Sequence, residues 1–223
     1  MNRKHRRATS IQPPQFGTLA EDEAMPEVLV PRAAYTQQRW FNPQFAAQQA
    51  DDVALAELDI RQGSFAAAEL SLLQATDCRF DTTDFASCSL NKAYIRRVEF
   101  AGCRLVGLQL TDADLEDVRF SRCNGRLARF WSSSLKSVRF EHCTFPEASF
   151  DGSNLTGAVF YKCDLRGADF RNARLKGADL RGSLLAGLQV HSNELAGVII
   201  DPAQALDLIQ LLGVTIRAEE AEG

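Results

Sequence analysis

Val118-Arg-Phe-Ser-Arg-Cys123 and Val138-Arg-Phe-Glu-His-Cys143 are near copies of one another, twenty residues apart. A copy at a fixed spacing is the signature of a chain that stacks on itself. Counting in fives from Ile60 to Ile200 gives 29 positions, of which 27 are large and apolar; only Ala75 and Gly125 are not. Every phenylalanine between residues 53 and 200 falls in this register. Two places before each centre the residue is small, as at Ala68, Cys78, Val98, Ala113 and Ala168. The other three places hold mostly Asp, Arg, Lys, Gly, Ser, Thr or Asn. A period of five fits neither a helix nor a plain strand. It fits a short extended side whose small residue and centre point inward, followed by a turn.

Asp164-Leu-Arg-Gly-Ala-Asp-Phe170 and Gly177-Ala-Asp-Leu-Arg-Gly182 state the repeat most plainly. The stretch from about residue 55 to 200 resembles the pentapeptide-repeat family. That resemblance implies an all-β solenoid, a right-handed quadrilateral β-helix in which four pentapeptides make one coil. Residues twenty apart then stack about 4.8 Å from each other. Phe80, Phe100, Phe120, Phe140 and Phe160 should form one inward ladder, and Cys103, Cys123, Cys143 and Cys163 another. At Gly125 the ladder of centres is interrupted, and a local bulge that turns Leu127 inward is the expected accommodation.

All six cysteines occupy the small inward position. There they act as small buried hydrophobes. Thiols spread along a line do not converge tetrahedrally on zinc, and parallel stacked side chains are poorly set for disulfides. No cofactor or metal is expected. His142 falls at an outward turn beside Glu141 and is expected in solvent. None of the common catalytic motifs is present, and the many acids occupy outward positions on a convex rod. The chain is therefore read as no enzyme.

Charge excludes further classes. Residues 53–200 carry eighteen Lys/Arg and eighteen Asp/Glu, and the whole chain has a formal net charge of −4. That balance is not a nucleic-acid binder's. No apolar run approaches the roughly 18–20 residues of a membrane span. The basic start, Met-Asn-Arg-Lys-His-Arg-Arg, has no apolar segment behind it, so a secretory signal is not expected; a transit peptide is the alternative, and the cytoplasm is the plain expectation.

The remaining segments read as a disordered tail over 1–25, an extension and cap over 26–54, and a C-terminal segment over 201–223. Asn42-Pro43 begins a short expected helix, so the N-terminal cap is read as partly helical. Tyr35, Trp40 and Phe41 belong to this cap or to a partner site. Asp201-Pro202 reads as a helix N-cap followed by proline at the first helical position, and Gly213 suits the stop. The apolar arc of this helix exceeds what one capped coil needs. Leu208, Leu211, Leu212, Val214 and Ile216 are therefore expected to mediate a two-fold homodimer.

This C-terminal helix also resembles that of the gyrase-protecting Qnr and MfpA types, whose dimers imitate DNA through an acidic surface. Two functions follow as expectations. The first is a non-enzymatic scaffold that binds another protein. The alternative is a DNA mimic that protects or inhibits DNA gyrase or topoisomerase. The partner surface expected on the first reading comprises Trp131 with Arg119, Arg122, Arg139 and Lys162. Trp131 is outward and large, suited either to an interface or to covering the gap at Gly125.

Overall fold

The structure is a computed structural model that describes residues 11–20, 25–211 and 213–215. Its strands are β1 (Ala34–Phe41), β2 (Ala54–Arg61), β3 (Gln74–Thr76), β4 (Arg79–Asp81), β5 (Tyr94–Ala101), β6 (Asp114–Ser121), β7 (Ser134–Glu141) and β8 (Val159–Tyr161). All pair in parallel with a shift of twenty residues, so that Phe100 faces Phe120 and Phe120 faces Phe140. On the other sides of the coil isolated bridges keep the same step, as in Asp84 to Arg104 and Arg104 to Asn124. The chain is a parallel β-solenoid of four-sided coils, as the family resemblance implies.

Each corner bends through a residue in the left-handed region. Asp117, Arg122, Leu127 and Ser132, five apart, have φ of 56°, 51°, 60° and 54°. Left-handed backbone costs an L-residue roughly 1–2 kcal/mol. The coil-to-coil hydrogen bonds on either side over-determine the bend; the Leu105 N–H donates to the Asn124 carbonyl (2.6 Å) and that of Leu110 to Arg129 (2.7 Å).

The core is a continuous column. Phe80, Phe100, Phe120, Phe140 and Phe160 stack with centroids 5.1, 4.9, 4.8 and 4.5 Å apart. Phe130, Phe150 and Phe170 stack beside them at 4.8 Å. The small inward residues have a polar task as well. The Cys103, Cys123, Cys143 and Cys163 thiols donate to the carbonyls of Phe80, Phe100, Phe120 and Phe140, at 3.3–3.4 Å. Ser183 does the same toward Phe160 (2.9 Å). All six cysteines are free and buried. Burial pushes the Cys78 and Cys88 thiols up to about 12.

Three expectations are corrected. Gly125 needs no bulge, because its N–H keeps register with the Thr144 carbonyl (2.7 Å) and Leu127 is exposed. A Cβ at residue 125 would lie 2.0 Å from Phe145 Cε1, so the Phe145 ring occupies the place a side chain would take. The expected helix after Asn42-Pro43 is absent; among the described residues the only helical segments are the 3-10 turn Pro202–Gln204 and α1 (Ala205–Leu211). Strand pairing reaches back to Ala34, and Trp40, Phe45 and Ala50 are buried centres of the first coil. Leu29 and Met25 pack on its open end, with the Leu29 N–H donating to Gln48 Oε1 (2.9 Å). Within the expected disordered tail, residues 11–20 are laid on the solenoid by hydrogen bonds, described below; residues 1–10 and 21–24 lie outside the described residues.

At the other end the expected N-cap is in place. Asp201 Oδ1 accepts from the N–H groups of Ala203 (3.0 Å) and Gln204 (3.2 Å), and Gln204 Oε1 accepts from Asp201 N–H (2.9 Å). Gln204 Nε2 donates to the carbonyls of Leu180 and Ser183, both at 2.7 Å. These acceptors belong to the last coil and have no further coil to pair with. One buried amide thus satisfies two carbonyls of the edge that a solenoid otherwise leaves open.

Candidate functional surface

Outward residues stack in rows that run along the axis, one per coil. The row through the middle of one side reads Asp59, Arg79, Glu99, Arg119 and Arg139. Most of its charges pair with neighbours: Asp59 with Arg61 (2.7 Å), Arg79 with Asp81 (3.8 Å) and Arg119 with Glu99 (3.8 Å). Glu141 accepts from Arg119 Nε (2.9 Å) and Arg139 Nε (2.9 Å). Burial would raise the Glu141 carboxyl, but these two guanidiniums hold it below the ordinary carboxylate value. Elsewhere Arg104 reaches Asp84 (3.0 Å), and Lys136 pairs with Glu116.

The adjoining corner differs. Arg122, His142 and Lys162 are exposed and stand one above another at steps of twenty. Among the described residues neither Arg122 nor Lys162 has an ion pair; Lys162 Nζ lies 5.1 Å from the Tyr161 ring centre. Four of the five expected partner-surface residues are thus on one side and its edge. Trp131 is not with them. In the order of the coil it falls at the diagonally opposite corner, 41% exposed, with Nε1 donating to Ser149 Oγ (2.7 Å) and the Arg129 guanidinium 5.1 Å above its ring. It does not cover Gly125, whose gap Phe145 fills.

Of the expected dimer residues, Leu208 is buried in the chain's own core and Val214 is exposed. Leu212, Ile216 and the Leu211 side chain lie outside the described residues.

Sequence reasoning missed one feature entirely. Residues 11–20 run across the coils along the corner row Gln37, Glu57, Asp77, Arg97, Asp117. The Gln12 N–H donates to Asp117 Oδ1 (3.4 Å), Gln15 N–H to Asp77 Oδ1 (3.0 Å) and Gly17 N–H to Glu57 Oε2 (2.7 Å). Ala20 then pairs with β1, donating to the Gln37 carbonyl and accepting from Arg39 N–H, both at 2.8 Å. Burial would raise the Asp77 carboxyl, yet hydrogen bonds from Arg97 and from Gln15 N–H bring it below the ordinary aspartate value. Between Ile11–Pro14 and the strand face lies a cleft of about 280 Å³, lined by Asp117, Glu99, Arg119, Arg139 and Glu141. The only advance signal was Pro13-Pro14, which favours an extended backbone.

Among the described residues no helix is long and apolar enough to cross a membrane. Among curated proteins, none matches the chain in sequence. The structure is similar to that of HetL, a pentapeptide repeat protein involved in heterocyst differentiation regulation from the cyanobacterium Nostoc, at 16% identity and a TM-score of 0.51, covering 76% of this chain and 85% of that one. QnrB1, a plasmid-mediated fluoroquinolone resistance protein, matches at 20% identity and TM-score 0.43, over 91% of this chain and 98% of that one. A pentapeptide repeat protein from the Arabidopsis thaliana thylakoid lumen matches at 19% and 0.42, over 44% and 68%. At these identities the likeness is one of fold. Residues 73–150 match the family description "Pentapeptide repeat region", and residues 133–172 and 148–187 match "Pentapeptide repeats (8 copies)". With four-sided twenty-residue coils as the frame for those matches, the chain belongs to the pentapeptide-repeat family.

Proposed function

We propose that the protein is a non-catalytic scaffold that binds an acidic patch of another protein along one rigid edge. The observation that carries this reading is the stacked row Arg122, His142 and Lys162. Two cations of the row lack an ion pair among the described residues, beside a face whose other charges are neutralised. Arg122 and Lys162 are two coils apart, roughly 10 Å, and two unpaired cations on one edge favour a counter-charge from outside. Imitation of DNA calls instead for a continuous acidic strip, whereas Arg79, Arg119 and Arg139 interrupt the row from Asp59 to Arg139, and Arg97 interrupts the row from Gln37 to Asp117. Self-association through the C-terminal end belongs to the same reading, with Leu206 (57% exposed) and Val214 (52%) as the exposed apolar groups there.

The test is capture from the native extract with two baits, the unchanged chain and the double charge reversal Arg122→Glu, Lys162→Glu. A protein retained by the first bait and lost from the second supports the scaffold. A protein retained equally by both places the contact elsewhere, and recovery of gyrase or topoisomerase subunits on both baits favours the DNA-mimic alternative. Sedimentation of Val214→Asp reads self-association separately, and a dimer that turns monomeric is the expected result.

A further inference from the structure

We propose that the corner row Glu57, Asp77, Asp117, together with the free edge of β1, is a binding groove for an extended peptide, and that residues 11–20 are its resident intramolecular ligand. The groove accepts a partner's extended segment of the same kind only when those residues leave. This rests on the scaffold reading and supplies it with a ligand class and a gate.

The carboxylates alone would not argue for a groove; the seated segment does. Three main-chain N–H groups of residues 12–17 are taken by side chains from three coils, 105, 62 and 40 residues distant in sequence. The fourth contact is a parallel bridge between Ala20 and Gln38. Main chain, not side chain, is what the groove reads. Any extended segment offers the same donors at the same pitch. The eight steps from Gln12 to Ala20 cross four coils, roughly 19 Å at about 4.8 Å each, which an extended backbone spans without strain.

The same contacts make the occupant exchangeable. Phe16 is 40% exposed, and most of the segment lies on the surface instead of in a pocket. Ile11–Pro14 stand off the face and leave the 280 Å³ cleft unfilled. A segment held by a few hydrogen bonds with little apolar burial is held weakly, because such bonds replace bonds to water. The cleft is lined by Arg119 and Arg139, on the face whose far edge carries the row Arg122, His142, Lys162.

The test uses the full chain with a protease site inserted at residues 21–24, cut so that the covalent link is lost. The probe is a labelled peptide of residues 11–20, followed by fluorescence anisotropy. The cut protein, freed of its own segment, is expected to bind the peptide, and the uncut protein to bind it at least about tenfold more weakly. Peptide Gln15→Pro removes the donor to Asp77 and should lose about tenfold, whereas peptide Phe16→Ala should change binding less than about twofold. These changes are in the peptide, so the solenoid cannot unfold in response. The proposal is overturned if the cut protein keeps its circular dichroism but binds no peptide at 0.5 mM, or if Gln15→Pro binds as the parent does. Either result leaves the row Arg122, His142, Lys162 and its capture experiment untouched.

Discussion

The coils before residue 142 and those after residue 150 solve the same stacking problem by different means. In the earlier set, β1, β2, β5, β6 and β7 each run for eight residues. Corners are turned by ordinary residues, among them Asn42, Ala47, Asp52, Glu57 and Ala67 at φ of 54–57°. Ion pairs cross from coil to coil, as Arg97 with Asp77 and Arg104 with Asp84 do. In the later set β8 is only three residues long, and beyond it isolated bridges remain. Glycines 152, 157, 167, 177, 182 and 187 take most of the corners, with Lys162 and Asn172 between them, whereas in the earlier set Gly102 and Gly107 are the exceptions. Pairs close within one pentapeptide, as in Arg166 with Asp164 and Arg171 with Asp169. The earlier coils are tied to each other. In the later ones the side-chain pairs close locally and glycine lightens the corners, while the main-chain bonds between coils continue, as from the Leu155 N–H to the Arg174 carbonyl (2.9 Å).

The sharpest way to break the contrast is a methyl group. Gly125→Ala in the tightly stacked set would drive a Cβ into the Phe145 ring, at a cost of about 3 kcal/mol or more. Urea unfolding should report the loss, and Phe145→Leu added to the same chain should return part of it. A full-cost Gly125→Ala with no recovery would mean that the Phe145 ring is not what fills the site.

The corners come next. A Cβ at Gly177 meets only Gly157 atoms, at 4.0 Å, so Gly177→Ala should cost only the left-handed backbone penalty of about 1–2 kcal/mol. The reverse change, Ala67→Gly, relieves a bend but loosens the unfolded chain, and a net effect under about 1 kcal/mol is expected. Thermal unfolding of both variants separates a real difference in corner chemistry from an accident of composition.

The smallest effect is acid sensitivity. Hydrogen bonds from Arg166 and Arg171 hold the Asp164 and Asp169 carboxyls below the ordinary value. Burial would raise Asp179, but Arg181 brings it below as well. A carboxyl lowered in the folded state adds stability above its unfolded value near 3.9, and that stability disappears as pH falls through the lower folded value. Amide exchange over residues 164–181 should therefore quicken only below about pH 4, and by a few fold, because the arginines are exposed. The triple change to asparagine should flatten that dependence.

Much of the fold was legible because stacking demands repetition, and repetition is visible in a single sequence. Phe80 to Phe160 and Cys103 to Cys163 fell where the period of five placed them. The start of the first coil was not read, although Tyr35, Trp40 and Phe45 continue the same count backwards; Asn42-Pro43 looked like a helix start, and Pro43 in fact packs beneath Gly63. Gly125 was recognised as a gap, but which ring fills it depends on the coil above, not on its own neighbours. The surface was less legible. Arg119 and Arg139 were expected with Trp131, yet a shared coil says nothing about a shared side. The segment 11–20 carries no period at all, and its partners lie up to 105 residues away.

That distance has a consequence for synthesis. Residues 11–20 leave the ribosome well before the coils they lie on, and cannot be fully seated until Asp117 has been made and its coil has closed. At about 5–20 residues per second, 105 residues are roughly 5–20 s of translation. Within that interval the contacts become available in turn, Gly17 to Glu57 first, then Gln15 to Asp77, and Gln12 to Asp117 last. The nascent protein therefore passes through a period in which the segment is only partly held, and its last contact waits for the coil of Asp117.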